Sequence, residues 1–270
     1  MNKKRDDLQK AKKSRSTKKA HSEEELYDAA SYLPEEFRDR LESYFISSPG
    51  TFVWKLQNFA KYVPRQSLAR FLLKTEMFKR VLDLQGSIIE CGVLAGGGLM
   101  VWAELSAIFE PLNYQRRIIG FDTFSGFTEL SPEDKTGQSP FLYSGALALD
   151  SYNDILESIK LYDMNRFLGG IEKVFLVKGD MKKTVPKYLE QNPETIVSLM
   201  YLDVDVFEPT KIALEHFVPR MPKGAIIAFD ELNDRGYPGE TLAVLKTIGI
   251  RNLRIHRFYY DTKISYAVLE

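Results

Sequence analysis

From Ser87 onward the chain alternates short apolar runs with longer amphipathic ones, and that alternation leaves few folds open to it. The apolar runs are Ile88–Ile89, Ile118–Phe121, Val174–Val177, Val197–Leu202, Ala225–Phe229, Leu253–His256 and Ser265–Leu269. Amphipathic stretches at about 97–110, 151–163, 181–191, 208–218 and 239–248 separate the first six. Strands that are uniformly apolar and separated by helices form a mostly parallel sheet covered on both faces. The last two runs are joined by a short turn expected around Asp261-Thr262-Lys263, too short for a helix, so they form an antiparallel hairpin. The expected fold class is α/β: a doubly wound, Rossmann-like, mostly parallel seven-stranded sheet with an antiparallel C-terminal hairpin.

Ahead of this domain, placed at 87–270, residues 22–86 read as a helical extension. Leu68, Phe71, Leu72, Met77, Phe78, Val81 and Leu82 recur at helical spacing, and Pro34, Pro49, Gly50 and Pro64 divide the stretch into short helices. Ser22 before Glu23-Glu24-Glu25 has the form of a helix N-cap. Residues 1–21 are basic and nearly free of apolar side chains, a composition expected of a disordered arm. The formal net charge of +0 gives no global field toward nucleic acid or membrane, so neither is expected as a partner. There is no apolar run of membrane-spanning length, and the basic start lacks the apolar stretch of a secretory signal. The single cysteine, Cys91, cannot pair within the chain, which fits a cytoplasmic protein. Its place in an apolar run makes it a core residue rather than a nucleophile.

Ligands of doubly wound sheets bind beyond the carboxyl ends of the strands. Three features fall there in order. The first is the turn Glu90-Cys91-Gly92-Val93-Leu94-Ala95-Gly96-Gly97-Gly98, whose glycines allow close approach of backbone to ligand before a helix N-terminus. Glu90 is ill suited to a pyrophosphate but can pair with a cationic amino group. The second is Asp122, placed to accept bonds from ribose hydroxyls. The third is Gly179-Asp180-Met181, where Asp180 can bond an adenine amino group and Met181 can pack on the ring. S-adenosylmethionine carries an ammonium, a carboxylate and a sulfonium, and a mixed site of acids and N–H groups suits it. A nicotinamide dinucleotide is the competing reading, but G-V-L-A-G-G-G after a glutamate is not G-x-G-x-x-G.

The ends of the fourth and fifth strands carry Asp203, Asp205, Asp230 and Glu231. Carboxylates crowded in one pocket repel, and a divalent cation relieves the repulsion; oxygen-only ligands favour Mg²⁺ or a similar hard ion. Such an ion can position an acceptor hydroxyl and lower its pKa. Asp205, two residues beyond Asp203 on what is expected to be the same strand face, is the candidate general base. Of the histidines His21, His216 and His256, only His216 is a candidate at all. The competing structural role for any one of the acids is to cap the helices beginning near Glu208 and Gly236. The aperiodic segment 123–150 reads as an insertion over the active face, where such loops are often lids.

Four stretches together resemble the macrocin O-methyltransferase family, the TylF- and NovP-like sugar methyltransferases. They are Ile89–Val93, Gly120–Phe127, Tyr201–Thr210 and Pro222–Glu231. The resemblance implies a Mg²⁺-dependent O-methyltransferase acting on a sugar hydroxyl, in a nucleotide sugar or a glycosylated natural product, and family habit adds a homo-oligomer, a dimer. By position, Asp203, Asp230 and Glu231 become metal ligands and Asp205 the base. The candidate contacts of the methyl donor are Glu90, Gly92, Val93, Leu94, Gly96, Gly97, Gly98, Asp122, Thr123, Phe124, Gly179, Asp180, Met181 and Asp203. Three departures stand out: Glu231 where the family has aspartate, Phe207 where it has tyrosine, and Leu94-Ala95 where it has Trp-Arg. A phenolic or other small hydroxyl acceptor is the alternative, and a non-catalytic binding module a third reading that the acidic cluster argues against.

Overall fold

The computed structural model describes residues 33–270, so the basic arm and the Ser22 cap lie outside the described residues. Among the described residues three helices come first: α1 (Glu35–Ser47), α2 (Phe52–Gln57) and α3 (Arg65–Arg80), each beginning after a proline or Thr51. The remainder alternates β1 (Ser87–Cys91), α4 (Gly97–Phe109), β2 (Ile118–Asp122), α5 (Tyr152–Met164), β3 (Val174–Lys178), α6 (Met181–Gln191), β4 (Val197–Leu202), α7 (Phe207–Phe217), β5 (Ile226–Phe229), α8 (Gly239–Lys246), β6 (Ile255–Phe258) and β7 (Asp261–Val268). The strands form one seven-stranded sheet in the order β3-β2-β1-β4-β5-β7-β6. β1 to β5 run parallel, while β7 pairs antiparallel with both β5 and β6. The expected fold class is therefore the one found.

Alternate side chains of each strand feed two cores. Ile88, Ile118, Leu199, Tyr201 and Ile226 point to the face covered by α3, α4 and α5. Ile89, Cys91, Ile119, Phe121, Met200, Leu202 and Phe229 point to the face covered by α6, α7 and α8. Leu73, Met77 and Phe78 of α3 belong to the first core, so this helix is built into the sheet's packing. The thiol of Cys91 is fully buried, and burial pushes its pKa up, as befits a small core residue.

Three local expectations need correcting. The C-terminal hairpin turns at Tyr259–Tyr260, not at Asp261–Lys263, because β7 extends four residues earlier than its apolar run; Asp261 and Lys263 are thus strand residues. Asp203 and Asp205 lie beyond the end of β4 in a loop rather than on one strand face, and Asp205 adopts left-handed backbone with φ 61°. Val81 and Leu82 fall in a turn after α3, not in the helix.

The turn between α3 and β1 rests on Arg116. The register between β1 and β4 shifts after Ser87, leaving Ser198 without a partner across the pair. The buried Arg116 guanidinium fills this irregularity, donating to Ser198 Oγ, to Gly86 O at 3.0 Å, and to Val81 O and Leu84 O at 2.9 and 2.8 Å. Glu110 balances its charge at 2.8 Å. Removing one partner of a buried ion pair leaves the other uncompensated, at a cost of about 3–5 kcal/mol. Arg116→Leu is accordingly expected to lower unfolding stability in urea by about that amount. A loss of under about 1 kcal/mol would show that the bulge holds without it.

Candidate active site

The doubly wound order reverses between β1 and β4, and the turn after β1 is shaped by that neighbour. The Gly92 N–H donates to Phe121 O at 2.9 Å, and Gly92 has φ 88°. A Cβ at Gly92 would lie 1.7 Å from Asp203 O, so only glycine lets the ends of β1 and β4 come this close. Leu94 (φ 48°) and Gly96 (φ 84°) then turn the chain into α4. Asp122 closes the loop from the side: Oδ2 accepts from the Val93 and Leu94 N–H groups at 2.7 and 2.9 Å, and Oδ1 from the Phe124 N–H at 2.7 Å. Its expected role toward ribose is thus joined to a second one as clamp of the turn.

A cavity of about 580 Å³ opens above these strand ends. Of the expected donor contacts, Glu90, Gly92, Val93, Leu94, Gly97, Gly98, Asp122, Thr123, Asp180, Met181 and Asp203 line it. Gly96, Phe124 and Gly179 do not. Gly96 faces Ile155, Phe124 is packed edge-on against Tyr152, and Gly179 uses its φ of 135° to lead β3 into α6. Asp180 caps that helix, accepting from the Lys182 N–H at 3.0 Å. Glu90 is not a lone acid: its Oε2 accepts from Lys74 Nζ and Trp102 Nε1, both at 2.6 Å.

The cavity wall at the ends of β4 and β5 is acidic. Carboxylate oxygens of Asp203, Asp230 and Glu231 all lie within 4.8 Å of one another, and Asp205 lines the same wall. Cations from distant parts of the chain already meet these acids. Arg70 of α3 pairs with Asp230 at 2.5 Å and with Asp261 at 3.1 Å. Lys263 of β7 bridges Asp230, at 3.1 Å, and Glu231. Tyr201 donates to Asp230 Oδ1 at 2.8 Å. Against the effect of burial, Arg70 and Lys263 hold Asp230 below the usual carboxylate range. Burial and the charge of Asp230 push Asp203, Glu231 and Glu240 well above it, and Asp205 up to about 7. Glu231 Oε2 is buried without a hydrogen-bond partner.

None of these acids caps α7. The Phe207 N–H is taken at 2.8 Å by Asp134, a buried residue of the 123–150 insertion that also accepts from Ser131. That contact pins the insertion, whose Phe127, Thr128, Glu129, Phe141 and Leu147 wall the cavity. His216 bonds Ile212 O within α7 and does not reach the cavity.

The profile of the Macrocin-O-methyltransferase (TylF) family matches residues 69–243. The chain belongs to that family. The crystal structure of CalS11, a calicheamicin methyltransferase, is 33% identical, with 94% of this chain and 99% of CalS11 covered and a TM-score of 0.83. Its apo form, described as a TDP-rhamnose 3'-O-methyltransferase, matches at 32% identity, with 87% and 95% covered and a TM-score of 0.75. The O-methyltransferase NovP shares the fold at 19% identity, with 74% and 79% covered and a TM-score of 0.53. No curated protein sequence matches. The chain is thus an S-adenosylmethionine-dependent O-methyltransferase.

In this TylF-family protein the basic residues of the cavity were the part hidden from sequence reading. Arg70 and Lys74 are four apart on α3, and their neighbours Leu73, Met77 and Phe78 are core residues. Two cations on an otherwise apolar helix face were the available signal. Lys263 was obscured by the misplaced turn. Because Gly92 sets the approach of β1 to β4, Gly92→Ala should both destabilise the fold by roughly 2 kcal/mol or more and weaken S-adenosylhomocysteine binding. Thermal unfolding with and without that ligand reads both; a stable variant that binds normally would contradict this account of the turn.

Proposed function

We propose that the chain transfers the methyl group of S-adenosylmethionine to a sugar hydroxyl, in a nucleotide sugar or a glycosylated natural product, with a divalent cation at Asp203, Asp230 and Glu231 and with Asp205 as general base. The observation that carries this reading is that one cavity joins the glycine turn of β1 to the carboxylates at the ends of β4 and β5. The sugar acceptor is supported by the likeness to CalS11, whose description names TDP-rhamnose. A homo-oligomer belongs to the same reading, and the exposed Ile46, Phe52, Val53 and Phe59 support it. No nucleic acid or membrane partner does; no helix among the described residues is long and apolar enough to cross a membrane.

The donor set suits the ion. Three carboxylates supply hard oxygen ligands, and the unpartnered Glu231 Oε2 is a buried acceptor in want of a positive charge. Glutamate in place of the family's aspartate is compatible, since Lys263 engages only Oε1. When bound, the ion orients the acceptor hydroxyl and lowers its pKa. S-adenosylmethionine supplies a methyl carbon bonded to a positively charged sulfur. The residues do the rest. Asp205 takes the hydroxyl proton as the C–O bond forms and the C–S bond breaks. Left-handed backbone at a non-glycine residue is uncommon and clusters at active sites, and it fixes where Asp205 aims. Arg70 and Lys263 keep Asp230 ionised.

Mass spectrometry of products from a panel of nucleotide sugars, glycosides and phenols tests the reading. Methylated sugar is expected with Mg²⁺, and none after chelation. Methylation of phenols alone would favour the phenolic alternative, and turnover untouched by a chelator would remove the metal. Asp205→Asn is expected to cut turnover by about 10²–10⁴ while leaving S-adenosylhomocysteine affinity unchanged by calorimetry. Normal turnover in that variant would move the base elsewhere.

A further inference from the structure

β7 brings a lysine to the acidic cluster through its register. Phe229 of β5 pairs with Ser265 of β7, and the same antiparallel register carried two residues further sets Glu231 opposite Lys263. The Lys263 N–H donates to Asp261 Oδ1 at 3.0 Å, which fixes the start of the strand. From there the Lys263 ammonium reaches Glu231 Oε1 and stands 3.1 Å from Asp230 Oδ2. It thus engages two of the three residues whose carboxylate oxygens come within 4.8 Å of one another. A divalent ion such as Mg²⁺ needs its oxygen ligands at about 2.1 Å. Two cations repel strongly at the separation that sharing these oxygens would impose, so the ammonium and the ion are alternatives.

Arg70 is held differently. It meets Asp230 Oδ1, which also accepts from Tyr201, while its Nε lies 3.1 Å from Asp261 Oδ2, outside the cluster. A planar guanidinium anchored at two carboxylates keeps its place. Lys263 carries a point charge on a flexible four-carbon stem, lines the cavity and has a side-chain exposure of 25%. Its ammonium can therefore swing into the cavity and remain solvated. A single positive charge also leaves the cluster short. Glu231 Oε2 is buried without a hydrogen-bond partner, and Asp203 and Asp205 line the same wall. A divalent ion in place of the ammonium adds a second unit of charge, whereas a monovalent ion adds none.

We propose that Lys263 is a tethered counter-ion: it holds Asp230 and Glu231 until a divalent cation replaces it, so the ion enters by exchange. The inference rests on the reading that Asp203, Asp230 and Glu231 bind such an ion, and it assigns a role to a residue outside the acidic motifs. With Lys263 on the carboxylates, the ends of β4 and β5 stay together before the ion arrives. Because the ammonium competes, the apparent affinity for the ion is the intrinsic affinity scaled by the fraction of molecules in which Lys263 has left.

Mn²⁺ binding by calorimetry and amine labelling of Lys263 read by mass spectrometry test this without a turnover measurement. Lys263→Met should bind Mn²⁺ roughly tenfold or more tightly than the wild type, which corresponds to release of the lysine in about one wild-type molecule in ten or fewer. A variant merely damaged by the substitution would lose affinity instead. In the wild type, saturating Mn²⁺ should raise the labelling of Lys263 several-fold and leave that of the exposed Lys160 unchanged. The labelling needs no variant, so it decides the matter even where Lys263→Met fails to fold. Unchanged labelling at saturating Mn²⁺ would mean that the ion binds beside a stationary lysine, and it overturns the proposal. Equal or weaker binding by Lys263→Met, beside a wild type that binds Mn²⁺, overturns it too. If neither protein binds Mn²⁺, the reading of the three acids as an ion site falls, and this inference with it.

Discussion

The acids at the ends of β4 and β5 are tolerable only because two cations reach them from elements far away in sequence. Asp230 is nearly fully buried, and it remains ionised because Arg70 meets one of its carboxylate oxygens and Lys263 the other. Arg70 comes from the helix that precedes the sheet, and Lys263 from the strand that ends it. The charge balance of the site therefore depends on both ends of the described chain being in place. It is incomplete even so: Asp203, Glu231 and Glu240 are all driven toward the protonated state by burial and by Asp230. An excess of buried carboxylates held close together is a poor design for stability alone. It is a good one for a pocket completed by a further positive charge.

The scaffold explains why the glycine turn and the acidic cluster meet in one cavity. Reversal of strand order between β1 and β4 opens a crevice at their carboxyl ends, and Gly92 lets the two ends come into backbone contact beside it. Asp122 ties the β1 turn to β2, and Asp134 ties the long insertion to the start of α7. Each of these is a carboxylate accepting backbone N–H groups, so the cavity wall is fixed by polar contacts while the two apolar cores fix the sheet. Arg116 plays the same part at the other end of the strands.

Much of this could be read from the sequence, and the failures have a common cause. The strand and helix alternation gave the sheet because apolar runs buried on both faces look alike wherever they occur. The acids were visible because Asp203, Asp230 and Glu231 directly follow such runs. Lys263 was missed because a strand that begins with Asp261-Thr262-Lys263 reads as a turn until its pairing is known. Arg70 and Lys74 were missed because helical periodicity records which residues are apolar, and says nothing about which polar residues share the buried face. Gly96, Phe124 and Gly179, adjacent to the motifs, do not line the cavity and have backbone and packing roles of their own. Partners across the sheet and across the chain are long-range facts, and local patterns do not hold them.

The proposed function requires a cation-completed acceptor site on the carboxylates beyond β4 and β5, beside the methyl donor. Crystals grown with Mn²⁺ and S-adenosylhomocysteine, examined by anomalous diffraction, test it most directly. The account predicts one strong metal peak bonded to Asp203, Asp230 and Glu231, with Lys263 drawn away from Glu231. Saturating Mn²⁺ with no peak there, and Lys263 still bridging Asp230 and Glu231, would contradict it.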